Sequence, residues 1–267
     1  MGSDPRLLVT GAGGQVGRAL RARLPGATFL GHADLDVCDA AAVRAAFAPG
    51  DVVVHAAAMT DVDGCERDPE RAHAVNAIGS EHVAATGARV ILLSSDYVFD
   101  GRATRAYTED DPTGPLSAYG RSKLAAERAV LAHPGNLVVR TAWVYGEGRN
   151  FIRSIAAAER AGRPLRVVDD QRGRPTWADD LAAALVHLLR AGTTGIVHVT
   201  GAGEPCSWAD LAELVVGHPV QRISSAELAA PAPRPASSVL DLGRARALGV
   251  PLADWHDSVR RYLEEDG

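Results

Sequence analysis

The stretch VTGAGGQVG, residues 9–17, ends a short apolar run, RLLVTG, and opens a segment, GGQVGRALRARL, in which Val16, Leu20 and Leu24 recur on one helical face. Gly11, Gly14 and Gly17 stand between the two at GxxGxxG spacing. Glycines there let the backbone turn tightly from strand to helix and approach a pyrophosphate, which the helix N-terminus holds through free N–H groups. A glycine triplet alone says little. Between a strand and a helix it predicts dinucleotide binding, with Gly11, Gly13, Gly14, Gln15, Val16, Gly17 and Arg18 as cofactor contacts.

Outward from this turn, strand and helix alternate. ATFLG reads as a second strand, DAAAVRAAFA as a helix, DVVVHAAA as a third strand, and CERDPERAHAVNAIGSEHVAAT as a helix after its proline. ARVILLSSD is a fourth strand, SAYGRSKLAAE the start of a helix running to about Leu131, and NLVVRTAWVYG a single fifth strand. Apolar strands between helices imply a parallel sheet covered on both faces, a doubly wound Rossmann-type α/β fold. Past residue 150 the pattern loosens. TWADDLAAALVHLLRA is expected to start at a Thr176 cap, SWADLAELVVG at a serine cap, and ADWHDSVRRYLEE places Trp255, Val259, Tyr262 and Leu263 on one face. The division expected is a Rossmann domain over residues 1–145, with 164–200 returning to it. A smaller, discontinuous C-terminal substrate domain takes 146–163 and 201–267.

The 267 residues are 46% hydrophobic and 23% charged, with a formal net charge of −5, the composition of an ordinary globular chain. Mild acidity without a basic run offers no footprint for nucleic acid, and no apolar run is long enough for a membrane span. Cys38, Cys65 and Cys206 form no CxxC pair and the histidines have no metal spacing. A cytoplasmic protein with idle thiols and no structural metal is the expectation.

Cofactor preference rests on the end of the second strand. An acid there would bind a ribose 2′-hydroxyl and select NAD, but LGHAD offers His32, with Asp34 later. Arg18 follows the last glycine and could meet a 2′-phosphate, so NADPH is expected, with NADH possible. Ala56, Ala57 and Ala58 leave room for a flat group at the end of the third strand. The fourth strand ends in LLSSDYVFDG, and Tyr119 and Lys123 lie one helical turn apart. The fourth strand and this helix together deliver hydroxyl, phenol and amine to the carboxyl edge of the sheet. A phenol titrates near ~10, and a neighbouring ammonium with the cofactor's positive charge is expected to lower that toward neutrality. So tuned, it can protonate a carbonyl oxygen as hydride reaches the carbon.

Together these residues resemble the extended short-chain dehydrogenase/reductases and, within them, the dTDP-4-dehydrorhamnose reductase group. The resemblance covers nearly the whole chain, through LLVTGAGGQVG, HAAAMTDVDGCE, AVNAIGS, LLSSDYVFDG, YTEDDPTGPLSAYGRSKLAAE, VVRTAWVYGEGRNF, VDDQRGRPTWADDLA and RPASSVLDLGRARALG. It implies Ser95, Tyr119 and Lys123 as the catalytic trio, with Ser95 standing where the family often has threonine. Asp36 and Val37 join Ala56, Ala57, Ala58, Tyr119 and Lys123 on the cofactor. Thr60, Val62, Asp96, Tyr97 and Trp143 take the sugar nucleotide. Met59 stands where the family usually has an aromatic residue. Arg234, in RPASSVLD, can pair with a diphosphate while Pro235 stiffens the approach. The implied activity is reduction of the 4-keto group of a dTDP-4-keto-6-deoxysugar by a possible homodimer. An epimerase or dehydratase of the same superfamily, or a non-catalytic NADP-binding regulatory subunit, stays open.

Overall fold

In the computed structural model, which describes residues 5–266, the first apolar run forms β1 (Leu7–Thr10) and the glycine turn delivers it to α1 (Gln15–Arg23). β2 (Thr28–Leu30), α2 (Ala40–Ala46) and β3 (Val52–His55) follow. A short α3 (Val62–Arg67) precedes the proline. Pro69 then opens α4 (Pro69–His73), where its missing N–H costs nothing, and the helix runs on through a π-helical turn, Ala74–Ile78, into α5 (Gly79–Ala84). β4 (Arg89–Ser95) ends in a 3-10 turn, Asp96–Val98, and α6 (Ala118–Leu131) leads to β5 (Leu137–Thr141). The second half holds β6 (Val144–Tyr145), α7 (Phe151–Arg160), β7 (Arg166–Val168), β8 (Arg172–Gly173), β9 (Thr176–Trp177), α8 (Ala178–Arg190) and β10 (Gly195–His198). It closes with β11 (Cys206–Ser207), α9 (Trp208–Val216), β12 (Gln221–Ile223), α10 (Ser225–Leu228), α11 (Gly243–Ala247) and α12 (Trp255–Asp266).

Six strands form one parallel sheet in the order β10-β5-β4-β3-β1-β2. The winding reverses between β1 and β3, so a crevice opens there at the carboxyl ends of the strands, where open α/β sheets bind ligands. Side chains alternate along each strand, and here both faces are buried. Val9, Val54, Ile91 and Val139 meet Leu20, Leu181 and Leu185 on one face, under α1 and α8. Leu8, Val53, Leu92 and Val138 meet Val43, Val83, Ala126 and Val130 on the other, under α2, α5 and α6. A third core, with Tyr145, Ile152, Trp177, Leu211, Trp255 and Val259, sits among three two-stranded sheets, β6-β9, β8-β11 and β7-β12. Ala245 and Val250 return to the first core.

Two expectations are corrected. The stretch NLVVRTAWVYG is two strands, because Trp143 adopts a left-handed φ of 48° that no continuing strand allows, and β6 leaves the sheet to pair with β9. Thr176 is the first residue of β9, its hydroxyl is buried without a hydrogen-bond partner, and α8 begins after Trp177 with no side-chain cap. The serine cap of α9 is present in full. Ser207 Oγ accepts from Asp210 N, and the Asp210 carboxylate accepts from Ser207 N.

Candidate active site

The glycine turn is folded hard against β3. Gly11 has φ +70°, and a Cβ there would lie 2.6 Å from the Ala56 carbonyl; one at Gly17 would lie 2.4 Å from Gly11 O. Only glycine fits either place. Gly13 and Gly14 face outward, and a Cβ at Gly13 would meet nothing within 4 Å. Gly14 starts α1 without a side-chain cap, which leaves the N–H groups of the first turn to an anion. Gln15 donates to Arg149 O at 3.1 Å while its Oε1 is buried and unpartnered, and Val16 packs on the first core. Ala56, Ala57 and Ala58 give β3 a smooth, half-buried end, with Ala57 N donating to Thr10 Oγ1 at 3.3 Å. This cradle fits a dinucleotide pyrophosphate.

The outer contacts are more constrained. Arg18 donates from Nε to Gly13 O at 2.9 Å and pairs with Glu147, so a 2′-phosphate has to compete with that carboxylate. Asp36 is exposed beyond β2 and accepts from Cys38 N at 2.9 Å. Val37 is buried against Gly79.

The Ser95 hydroxyl and the Tyr119 phenol come together where α6 meets the end of β4, with the Lys123 amine one turn further along the helix. Ser117 caps α6 by accepting from Gly120 N at 3.1 Å, and Ala118 N donates to Glu66 at 2.7 Å. A Cβ on Gly120 would lie 2.2 Å from Tyr97 O, so the helix presses directly on the 3-10 turn that follows Ser95. That close approach brings the Tyr119 phenol beside the Ser95 hydroxyl and sets the Tyr97 and Tyr119 rings edge to face at 5.7 Å. Beneath them Asn76, in the π-helical turn, accepts from Met59 N at 2.7 Å and donates to Met59 O at 3.0 Å and Ser122 Oγ at 2.9 Å.

The electrostatics depart from expectation. Burial pushes the Tyr119 phenol above its ordinary range, and the Ser95 hydrogen bond only offsets it. Lys123, 3% exposed, points its Nζ at Leu93 O at 2.7 Å, a turn deeper than the phenol. Burial lowers the ammonium to about 8, against the opposing pull of Glu127. In the protein itself, then, the amine does not bring the phenol toward neutrality.

Next to Ser95, Asp96 is 1% exposed and receives hydrogen bonds from Ser95 Oγ at 2.9 Å and from Ser238 Oγ. Burial still raises its carboxyl to about 6. Tyr97 is pushed up by burial and lies against Arg234. Arg234 is no solvated linker residue. Its guanidinium grips Asp63 through both carboxylate oxygens at 3.0 and 3.1 Å and also donates to Ala232 O. Val62 opens α3 beside Asp63, with Thr60 exposed just before it.

Ser95, Asp96, Tyr97, Tyr119 and Arg234 therefore lie together, with Lys123 one turn further along α6 on Leu93 O. Trp143 lies apart from them. Its indole stacks on Trp208 at 3.7 Å and 9°, over Gly173, where any Cβ would strike the ring.

Asp63, Asn76, Glu127, Arg140, Ser238 and Trp208 were not foreseen. Most are paired across long stretches of chain and left no local signal. One signal was available: of 28 lysine and arginine residues only residue 123 is lysine, the cation whose charge a protein can adjust. Among the described residues no three His, Cys, Asp or Glu are grouped to hold a metal, and no helix is long and apolar enough to cross a membrane.

A parallel sheet with a glycine cradle at its switch point and a Ser–Tyr–Lys set at its carboxyl edge defines an oxidoreductase of the extended short-chain dehydrogenase/reductase class. The sequence profile of the RmlD substrate binding domain family matches residues 5–267, and the chain belongs to that family. It is 46% identical over 277 residues to a Streptomyces griseus protein named dTDP-4-dehydrorhamnose reductase, covering 94% of this chain and 90% of that one. It is 45% identical over 283 residues to a Streptomyces antibioticus protein named as a probable dTDP-4,6-dihydroxy-2-methyloxan-3-one 4-ketoreductase, covering 97% and 95%. The crystal structure of dTDP-4-dehydrorhamnose reductase from Bacillus anthracis in complex with NADP superposes with a TM-score of 0.91, at 30% identity, over 98% of this chain and 100% of that one.

Proposed function

We propose that this protein reduces the 4-keto group of a dTDP-4-keto-6-deoxysugar with NADPH, NADH serving less well. The observation that carries the reading is the placement of Ser95 at the end of β4 and of Tyr119 and Lys123 on one face of α6, beside the carboxyl edge of the sheet that holds the glycine cradle. When bound, the cofactor supplies hydride. The first turn of α1 and the open faces of Gly13 and Gly14 bind its pyrophosphate, and the ends of β1 and β3 form the floor. Tyr119 gives its proton to the ketone oxygen, which Ser95 holds in place. Ser95 has one proton to offer and directs it at Asp96. Raising Asp96 to about 6 brings its protonated form into range, and a protonated Asp96 releases the Ser95 hydroxyl toward the ketone.

The sugar nucleotide lies between this group and the lobe built on the third core, with Trp143 as a wall and Arg234 near the diphosphate. Binding energy from that remote anionic handle positions the carbonyl at Tyr119. Reduced nicotinamide cofactors are cytoplasmic, and the reading puts the enzyme there. Purified protein with dTDP-4-dehydrorhamnose is expected to oxidise NADPH in step with formation of the 4-hydroxy product. Turnover of dTDP-sugars with no net cofactor consumption identifies an epimerase or dehydratase instead. Saturable NADPH binding without turnover of any dTDP-4-keto-6-deoxysugar identifies a binding subunit.

A further inference from the structure

Glu127 follows Tyr119 and Lys123 at the same four-residue interval, so all three lie on one face of α6. It is 1% exposed and its carboxylate is fully engaged. Ser94 Oγ donates to Oε1, and Arg140, itself 3% exposed, donates to Oε1 from Nε at 2.9 Å and to Oε2 from Nη2 at 2.7 Å. Arg140 also reaches Glu109 O and His198 Nε2, each at 3.5 Å. A buried ion pair is a poor device for stability alone, since well-packed apolar residues often serve as well or better. Its place, directly behind the lysine, suggests another use.

We propose that Glu127, clamped by Arg140 and Ser94, is the positioning residue that keeps the Lys123 ammonium charged while leaving it directed at Leu93 and the phenol. The inference uses the ketoreductase reading only to call Lys123 catalytic. Three observations support it. First, every other titratable side chain acting on or facing Lys123 is neutral or already matched near neutral pH. From α3, burial pushes the Cys65 thiol up to about 11. From β3, burial chiefly and Lys123 secondarily hold His55 down to about 3. From α6 itself, the Tyr119 phenol is raised by burial. From β5, Arg140 is matched by the pair. Glu127 is the one anion in this set, and it acts against the burial that lowers Lys123 to about 8.

Second, Ser94 Oγ and the Arg140 Nε and Nη2 groups hold the Glu127 carboxylate in place behind Lys123 through both of its oxygens. Third, a carboxylate with free oxygens would capture the ammonium as a direct partner and draw it down the helix. Because both oxygens are already bonded, the lysine feels the charge without being captured, and its Nζ stays on Leu93 O at 2.7 Å.

Because residue 123 is the chain's only lysine, protein labelled with side-chain ¹⁵N-lysine carries one ammonium signal, and its titration can be followed by NMR with no substrate present. The wild-type midpoint is expected at about 8. In Glu127→Gln it should fall by roughly one pH unit or more, the scale of a lost neighbouring charge. The alkaline limb of the kcat/KM profile should shift by the same amount. Should that single variant fail to fold around an unpaired Arg140, Glu127→Gln with Arg140→Gln removes both charges. That double variant removes the Arg140 cation together with the carboxylate, so a smaller fall in the same direction is expected. A midpoint unmoved in a folded variant overturns the proposal. A midpoint that falls in a protein without ketoreductase activity upholds it and discards the functional reading instead.

Discussion

Tyr119 and Ser95 illustrate how much of a site a single residue type discloses. A phenol four residues before a lysine, after a strand ending in serines, was enough to single out the group proposed for proton transfer, because α6 and β4 bring its hydroxyl and phenol together over a short stretch of chain. The direction of the phenol's shift was not legible, since it depends on how deeply the ring is buried and where the amine points. Removing the phenolic proton should leave the fold and cofactor affinity intact and lower turnover by roughly 10²–10⁴-fold, the usual scale for a positioned general acid. Stopped-turnover assays of Tyr119→Phe at neutral pH check this; near-normal rates would remove Tyr119 from the chemistry. Lys123 makes a second residue-level expectation. Its folded value, about 8, lies below its ordinary 10.5. Between those values the unfolded chain binds more protons than the native one, so this site's contribution to stability rises with pH across that window and is a constant penalty below it. The rise amounts to up to about 3 kcal/mol. Urea unfolding at pH 8 and pH 10.5 should show a smaller difference for Lys123→Met than for wild type; an identical difference would mean the amine is not depressed.

At the level of elements, α6 is placed by a glycine. Residue 120 lets the helix sit on the 3-10 turn at a distance no Cβ permits, and that contact carries Tyr119 to Ser95. Gly120→Ala is expected to force the two apart, costing roughly 1–3 kcal/mol as an overpacked contact and lowering kcat more than it raises KM for NADPH. Thermal unfolding together with steady-state kinetics tests both halves of that statement. The elements themselves were readable wherever apolar periodicity ran undisturbed, as in β1, α1, β3, β4 and α9. They were misread where a single backbone angle or a distant strand decides. Nothing in NLVVRTAWVYG announces the left-handed Trp143, and Thr176 has the composition of a cap while serving as a strand opposite Val144.

Across the whole molecule, the segment around residues 232–240 straps back onto α3 and the turn that follows β4. Arg234 reaches back to Asp63, Ser238 to Asp96, and Ser237 N to Gly101 O. Pairings across such sequence distances leave no local pattern, which is why Arg234 could be singled out from sequence but its partner could not. Arg234→Ala should chiefly weaken kcat/KM for the sugar nucleotide and leave NADPH affinity alone. An unchanged kcat/KM would confine the arginine to holding Asp63.

The solitary lysine has a further consequence for how this protein comes apart. An endoproteinase that cuts only after lysine has one bond to attack, between Lys123 and Leu124, midway along α6. That side chain is buried and its helix is held between Asn76 and β4. Cutting therefore waits until the helix has lifted off the sheet, an opening close in extent to full unfolding. Digestion should yield two pieces, residues 1–123 and 124–267, at a rate that tracks the open population, climbing with urea and falling as dinucleotide is added.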